Sequence, residues 1–143
     1  MKTPRASFQT VAANGKIYAI GGLDTAGNLL SSVEEYDPEQ DRWTEKASMN
    51  TPRSWFRAVS VHGKILVLGG WKDVGRYLPD SFLASVEEYD FKTDRWAELT
   101  PLKTARSLFQ AEETQNGVLV FGGAVGSESE NEPGTASAEE YAL

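Results

Sequence analysis

IYAIGG, Ile17 to Gly22, decides how this chain is read: an alternating apolar run that ends on two adjacent glycines. ILVLGG follows at Ile65 to Gly70 and VLVFGG at Val118 to Gly123. Three such endings, spaced by about 50 residues, mark a copied unit, and a period of 20–50 residues signals stacked repeats. The residues before each ending recur too. TPRASFQTVAANGK opens the first copy at Thr3, TPRSWFRAVSVHGK the second at Thr51, and TARSLFQAEETQNG the third at Thr104. Downstream, SVEEYDPEQDRW ends at Trp43 and SVEEYDFKTDRW at Trp96, while the third copy reaches AEEYAL, ending at Leu143.

Each copy reads as four short strands. The first meets the second at Asn14-Gly15, a dipeptide suited to a two-residue hairpin because both central positions need positive φ. His62-Gly63 and Asn116-Gly117 stand at nearly the same place. SVEEY supplies the third strand, with Val33 and Tyr36 expected on one face and Glu34 between them. A loop bracketed by Asp37 and Asp41 leads to a fourth strand around Trp43, since Asp readily closes such a loop through its own backbone. No stretch holds a helical period, so the chain is expected to be all-β. A single four-stranded sheet cannot bury both faces. It must stack on a neighbouring copy, and the glycine pairs Gly21-Gly22, Gly69-Gly70 and Gly122-Gly123 are expected to let backbones and the Tyr36 and Trp43 rings come close. A phosphate-cradling role for them would need G-x-G-x-x-G opening a helix, which is absent.

Double glycine, then Tyr, then Trp seven residues after the Tyr, in a unit of about 50 residues, resembles the kelch repeat. The repeat residues are Gly21, Gly22, Tyr36 and Trp43; Gly69, Gly70, Tyr89 and Trp96; and Gly122, Gly123 and Tyr141. The resemblance implies a β-propeller, one blade per repeat, with the strand after Phe8 innermost and the Trp43 strand outermost. The expected domain is single, 1–143, with blades at about 3–50, 51–103 and 104–143, the third without its outermost strand. Kelch propellers usually close with six or seven blades, so three suggest half of a six-bladed ring, completed by a second copy as a homodimer.

The composition narrows the chemistry. Net charge is −7, against clustered Lys and Arg for nucleic acid or an anionic membrane, and no apolar run approaches the roughly 18 residues of a membrane helix. There is no Cys, which removes thiolate chemistry, and one His, His62, which reads as a polar turn residue. No metal, cofactor or catalytic residue is expected. The pairs Glu34-Glu35, Glu87-Glu88 and Glu139-Glu140 point to opposite faces of a strand and read as structural, either partnering Arg5, Arg53 and Arg106 or solvating an outer face. Glu112 and Glu113, in an innermost strand, read as channel-facing or exposed carboxylates, with a ligand or cation contact as the alternative. With no apolar leader in MKTPRASF, a cytoplasmic location is expected.

Function is expected where the copies differ. LDTAGNLLSSV follows the first glycine pair; WKDVGRYLPDSFLASV, five residues longer, follows the second; AVGSESENEPGTASA, four longer and acidic, follows the third. Insertions in repeat proteins map to one face, often the binding face. Trp71, Arg76 and Tyr77 belong to the residue types enriched at binding hot spots. By the kelch resemblance, Ser7, Trp55 and Leu108, in the turns before the innermost strands, share that face. These six are the expected partner-binding residues; the alternative for the aromatics is burial against a neighbouring blade. The leading reading is a noncatalytic scaffold that binds a protein partner. The alternatives are a sugar- or small-molecule-binding enzyme of epimerase type, as the resemblance also allows, and a fragment or engineered half-propeller without a function of its own.

Overall fold

The computed structural model describes residues 1–74, 78–126 and 134–143. Two four-stranded antiparallel sheets come first. Blade 1 holds β1 (Gln9–Ala13), β2 (Lys16–Ile20), β3 (Val33–Asp37) and β4 (Arg42–Lys46), paired in that order. Blade 2 repeats it with β5 (Arg57–Val61), β6 (Lys64–Leu68), β7 (Val86–Asp90) and β8 (Arg95–Leu99). Blade 3 begins with the two-residue β9 (Arg106–Ser107), which pairs with β12 (Ala124–Val125). Its sheet contains β10 (Gln110–Thr114), β11 (Gly117–Phe121) and β13 (Ala138–Ala142), in the order β10-β11-β13. No fourth strand lies beside β13 among the described residues. The molecule is therefore all-β and an open, partial propeller.

The first two hairpins turn as their sequence demands: Asn14 and Gly15 have φ of 51° and 72°, and His62 and Gly63 of 48° and 72°. The third differs from expectation. Thr114 pairs with Gly117, so the turn falls on Gln115-Asn116 and Gly117 belongs to the strand. A side chain at Gly117 would run into the Tyr141 carbonyl, which explains the glycine there.

Register assigns the faces. Ile20 pairs with Val33 and Ile17 with Tyr36, so Val33 and Tyr36, three apart on a strand of period two, lie on opposite faces rather than one. Val33 joins Val11, Tyr18 and Ile20 in packing on blade 2, where Phe56, Ile65, Val67 and Tyr89 complete the cluster. The other face of blade 2 supplies Val61, Leu66, Leu68 and Val86, which meet Phe109, Val118, Val120 and Tyr141 of blade 3. The same interblade contact thus forms twice.

The glycine pairs serve these contacts, but not through the rings first expected. At Gly69 (φ 57°) a Cβ would stand 2.7 Å from the Arg106 carbonyl and 2.9 Å from the Phe109 ring; at Gly21 it would meet the Arg53 carbonyl and Phe56 ring at 3.0 Å each. The close neighbours are thus a carbonyl and a Phe of the following blade, not Tyr36 or Trp43. Gly122, the third member, has only the Thr135 carbonyl at 3.7 Å. Nothing among the described residues covers that face of blade 3, and Leu119 and Phe121 on it are exposed. Among the described residues blade 1 leaves its opposite face open in the same way: Ile17 is exposed, and the Trp43 ring lies against Tyr36, centroids 5.1 Å apart. Trp43 is therefore not held between an outer strand and a neighbouring blade. Trp96 is: its indole Nε1–H donates to the Ala47 carbonyl of blade 1 at 2.8 Å, and its ring packs against the first core cluster.

Candidate interaction face

Three equivalent positions, Ser7, Trp55 and Leu108, have left-handed backbones with φ of 52°, 52° and 56°. A bulky residue there is strained, and such strain gathers at functional positions. The three are linked in series: Trp55 N–H donates to the Ser7 carbonyl at 3.4 Å and Leu108 N–H to the Trp55 carbonyl at 3.0 Å. Each turn thus hands a hydrogen bond to the next blade.

Trp71 lies beside this line. Its backbone exchanges two hydrogen bonds with Ser54, at 2.8 and 3.1 Å, and its ring stacks on Trp55 with centroids 4.7 Å apart and planes 10° apart. Trp55 Nε1–H also donates to Ser7 Oγ at 3.1 Å. Ser7, Trp55, Trp71 and Leu108, predicted separately, are therefore brought together. Their exposures differ. Ser7 and Leu108, the latter 56% exposed, face solvent; Trp55 is half-buried; Trp71 is only 5% exposed and forms the floor on which Trp55 lies. Arg76 and Tyr77, and most of the acidic third loop, lie outside the described residues. Glu112 and Glu113 are both exposed.

The loops that frame the face are tied down at their bases by a device repeated in each blade. Arg53 is fully buried; its guanidinium donates to the Gly69 carbonyl at 2.8 Å, to the Ser85 carbonyl and Oγ, and to Glu87 Oε1 at 2.7 Å. Glu87 in turn accepts the Asn50 and Thr51 N–H groups of the linker between blades. Arg5 and Glu34 do the same with Gly21, Ser32, Lys2 and Thr3. One glycine turn, one strand start and one linker are thereby fixed to a single guanidinium–carboxylate pair. Burial works against ionisation of Glu34, but the Lys2 N–H, the Arg5 guanidinium and the Thr3 N–H outweigh it and hold the carboxyl below its ordinary range. Burial likewise depresses the Arg53 guanidinium, with Glu87 opposing it.

The second carboxylate of each pair does different work. Glu35 accepts the Tyr18 hydroxyl at 2.6 Å, and Glu88 lies 3.5 Å from Lys64 Nζ. Adjacent glutamates therefore have separate partners on separate faces, an arrangement without a shared proton. Among the described residues no three His, Cys, Asp or Glu side chains are grouped to hold a metal ion, and no helix is long and apolar enough to cross a membrane.

Sequence reasoning missed the role of Asp94, which ties blades together. It accepts the Tyr89 hydroxyl at 2.6 Å and the Ala47 N–H at 3.0 Å, so that Asp94 and Trp96 together grip both backbone groups of Ala47. The signal was present as the recurring D-R-W of Asp41 to Trp43 and Asp94 to Trp96.

Comparison with known proteins agrees with this architecture. The family model for the Kelch motif matches residues 4–50 and 52–103. The chain belongs to the kelch-repeat family. Alpha-scruin of Limulus polyphemus is 37% identical over 131 residues, covering 92% of this chain and 14% of that protein. Kelch-like protein 41b of Danio rerio is 34% identical over 143 residues, 99% of this chain and 22% of that protein. F-box/kelch-repeat protein SKIP30 of Arabidopsis thaliana is 46% identical over 44 residues. The chain thus spans less than a quarter of the length of these relatives. Ser7, Trp55 and Leu108 differ among the three copies, as do the loops after the glycine pairs, whereas the Arg, Glu-Glu, Gly-Gly and Tyr positions are the same in all three.

Proposed function

We propose that this kelch chain is a noncatalytic scaffold that binds a protein partner through the face formed by Ser7, Trp55, Leu108 and the loops behind them. The carrying observation is the Trp55–Trp71 stack, hydrogen-bonded to Ser7 and flanked by exposed Leu108. A rigid aromatic pair with an adjacent apolar side chain is what a protein hot spot uses, because little conformational entropy is lost when it is covered. From the sequence alone, Arg76 and Tyr77 of the longest loop are counted with the proposed site; they lie outside the described residues. Crosslinking from a photoreactive residue at position 108, followed by mass spectrometry, tests the reading. A specific protein adduct that Trp55→Ala abolishes, while the chain stays folded and loses no more than about 1 kcal/mol of stability, is the expected result. Adducts that are identical with and without Trp55 would defeat it.

A second reading concerns assembly. The open faces of blades 1 and 3 are the two halves of a contact that the chain already makes twice, and two copies would close six blades around a twofold axis. Exposed Ile17 on one face and Leu119 and Phe121 on the other support it. Light scattering at twice the chain mass of 15.7 kDa is expected, and Phe121→Glu should return the monomer. A monodisperse monomer at every concentration would refute it. A sugar-processing alternative would instead predict a melting shift with sugars, and none is expected.

A further inference from the structure

Trp55 stands just before β5; a second feature lies where β5 ends, on the opposite side of the blades. A groove of about 320 Å³ opens there between blades 1 and 2. Asn14 of the β1–β2 turn lines it, with Ser60 and Lys64 from either side of the β5–β6 turn, and Asp90, Phe91 and Lys92 from the β7–β8 turn. Phe91 forms its apolar wall. The ring is half-buried, and its centroid lies 5.4 Å from that of Tyr18 and 5.4 Å from that of Tyr89, the second contact edge-on at 90°. Rings held in such a cluster are fixed before a ligand arrives, so covering Phe91 costs little further ordering.

The polar groups fall into two sets. Lys64 Nζ lies 2.8 Å from Asp90 Oδ2 and 3.5 Å from Glu88 Oε1, and Asp90 Oδ1 also accepts the Lys92 N–H at 2.7 Å. Both carboxylates are therefore engaged by Lys64. The Ser60 hydroxyl, the Asn14 amide and the Lys92 ammonium, by contrast, make no hydrogen bond or ion pair among the described residues. All three donate, and one is a cation. The unmet capacity of the groove is thus donor-rich and positive, in a chain whose net charge is −7.

The copies differ at these same positions. Phe91-Lys92 stands where blade 1 has Pro38-Glu39, a turn with no ring and the opposite charge. Ser60 stands where the first copy has Ala12 and the third has Glu113. The next junction, between blades 2 and 3, accordingly puts Glu113 in the place of Ser60 and His62 in the place of Asn14. The ion pairs Lys16–Asp37 and Lys64–Asp90 are instead common to blades 1 and 2. What the blades share closes the turn, and what they do not share faces the groove.

We propose that this groove binds a small aromatic carboxylate. The ligand's ring lies against Phe91, and its carboxylate accepts from the Lys92 ammonium, the Asn14 amide and the Ser60 hydroxyl. Hydrogen bonds between charged partners are about twice as strong as neutral ones, so the acid is preferred to an uncharged compound of the same shape. A volume at the lower end of the roughly 300–1,000 Å³ typical of small-molecule pockets suits one ring and one acidic group. A peptide that ends in Phe offers the same chemistry, but its preceding residues would not fit a groove of this size. The groove is separate from the Trp55 face, so either can fail without the other.

The test titrates the isotope-labelled full chain with phenylacetate and follows the amide resonances. Saturable shifts are expected at Ser60, Gly63 and Lys92, with Trp55 and Leu108 unmoved. Phenylacetamide, the neutral compound of the same shape, should bind at least tenfold more weakly. Lys92→Glu, which copies Glu39 of blade 1 at an exposed position, should weaken phenylacetate at least tenfold. Asn14→Gly removes the amide but keeps the turn, because glycine accepts the φ of 51° found there, and should also weaken binding. Well-dispersed spectra establish that each variant is folded, and the phenylacetamide comparison needs no variant. Tighter binding of a peptide with a C-terminal Phe than of phenylacetate would reassign the groove to a protein terminus and overturn the proposal. So would equal binding of phenylacetamide, unchanged binding by folded Lys92→Glu, or shifts that do not saturate at millimolar concentration.

Discussion

Trp43 and Trp96 occupy the same position in successive repeats, yet their replacement by alanine should have very different consequences. Trp96 packs on Tyr89, with centroids 5.1 Å apart, touches the core between blades 1 and 2, and caps the Ala47 carbonyl. An aromatic side chain buries roughly 150–250 Å² when fully covered. Trp96 is only partly buried, so about 100 Å² at about 25 cal/mol per Å² gives about 2.5 kcal/mol. Loss of the indole hydrogen bond adds about 1 kcal/mol. Trp96→Ala should therefore cost about 3–4 kcal/mol. Trp43 makes the same ring pair with Tyr36 and is also half-buried, but among the described residues it joins no interblade core and caps no carbonyl, so Trp43→Ala should cost less, about 1–2 kcal/mol. Urea denaturation followed by circular dichroism, at a concentration where light scattering reports monomer, measures both. Equal costs in the monomer would refute the assignment of Trp96 to an interblade contact. Should the blade 1 face be covered by a second copy, the cost of Trp43→Ala should grow with protein concentration while that of Trp96→Ala should not.

Other consequences can be checked separately. Gly69→Ala should destabilise by more than 2 kcal/mol, because φ is 57° and the new methyl would meet the Arg106 carbonyl, whereas Gly27→Ala, with open space around it, should cost about 1 kcal/mol in the same urea series. Arg53→Ala should cost at least 3 kcal/mol by leaving Glu87 charged and buried, and the double variant Arg53→Met with Glu87→Leu should recover part of that loss in melting experiments. Glu34 and Asp94 are both held below their ordinary carboxyl range, Asp94 chiefly by the Tyr89 hydroxyl. A carboxyl depressed in the folded state contributes stability that is fully present above its unfolded value near 4 and is lost as pH falls through the folded value. Melting temperature should accordingly be flat above about pH 5 and drop below about pH 4, with a shallower drop for Asp94→Asn.

What was legible in the sequence is what each copy repeats. The GG endings, the Asn-Gly and His-Gly turns and the Glu-Glu-Tyr strands each respond to a local demand that is the same in every blade, so comparing copies marks the four strands, the resemblance to kelch repeats orders them, and the Arg–Glu pairs stand as one of two structural readings. Less legible was what depends on a blade's place in the array. Trp43 and Trp96 are the same letter in the same motif, but one is capped by Ala47 and the other faces outward. Trp71 looked like a loop aromatic, and its burial follows from bridging Ser54 and Phe82, partners 17 residues before it and 11 after it that hydropathy does not encode. Placing Val33 and Tyr36 on one face was an error of counting, since residues three apart on a strand diverge.

The repeats also explain why the candidate face can vary without loss of the fold. In each blade the guanidinium of Arg5, Arg53 or Arg106 donates to the carbonyl of the first glycine of the pair and to that of the serine just before the third strand, below the loops rather than within them. The Ser7, Trp55 and Leu108 turns above are connected by backbone hydrogen bonds, which do not depend on the side chain chosen. Side chains on that line are therefore free to differ at little cost to folding, while those on the arginine line are not. Trp55→Ser, which copies blade 1 at the equivalent position, should leave the Leu108 N–H bond to residue 55 in place and change stability by no more than the loss of one stacked, half-exposed aromatic, about 1 kcal/mol. If it instead unfolded the chain, the Trp55–Trp71 stack would be core, and the face would lose its claim to be a site free to recognise a partner.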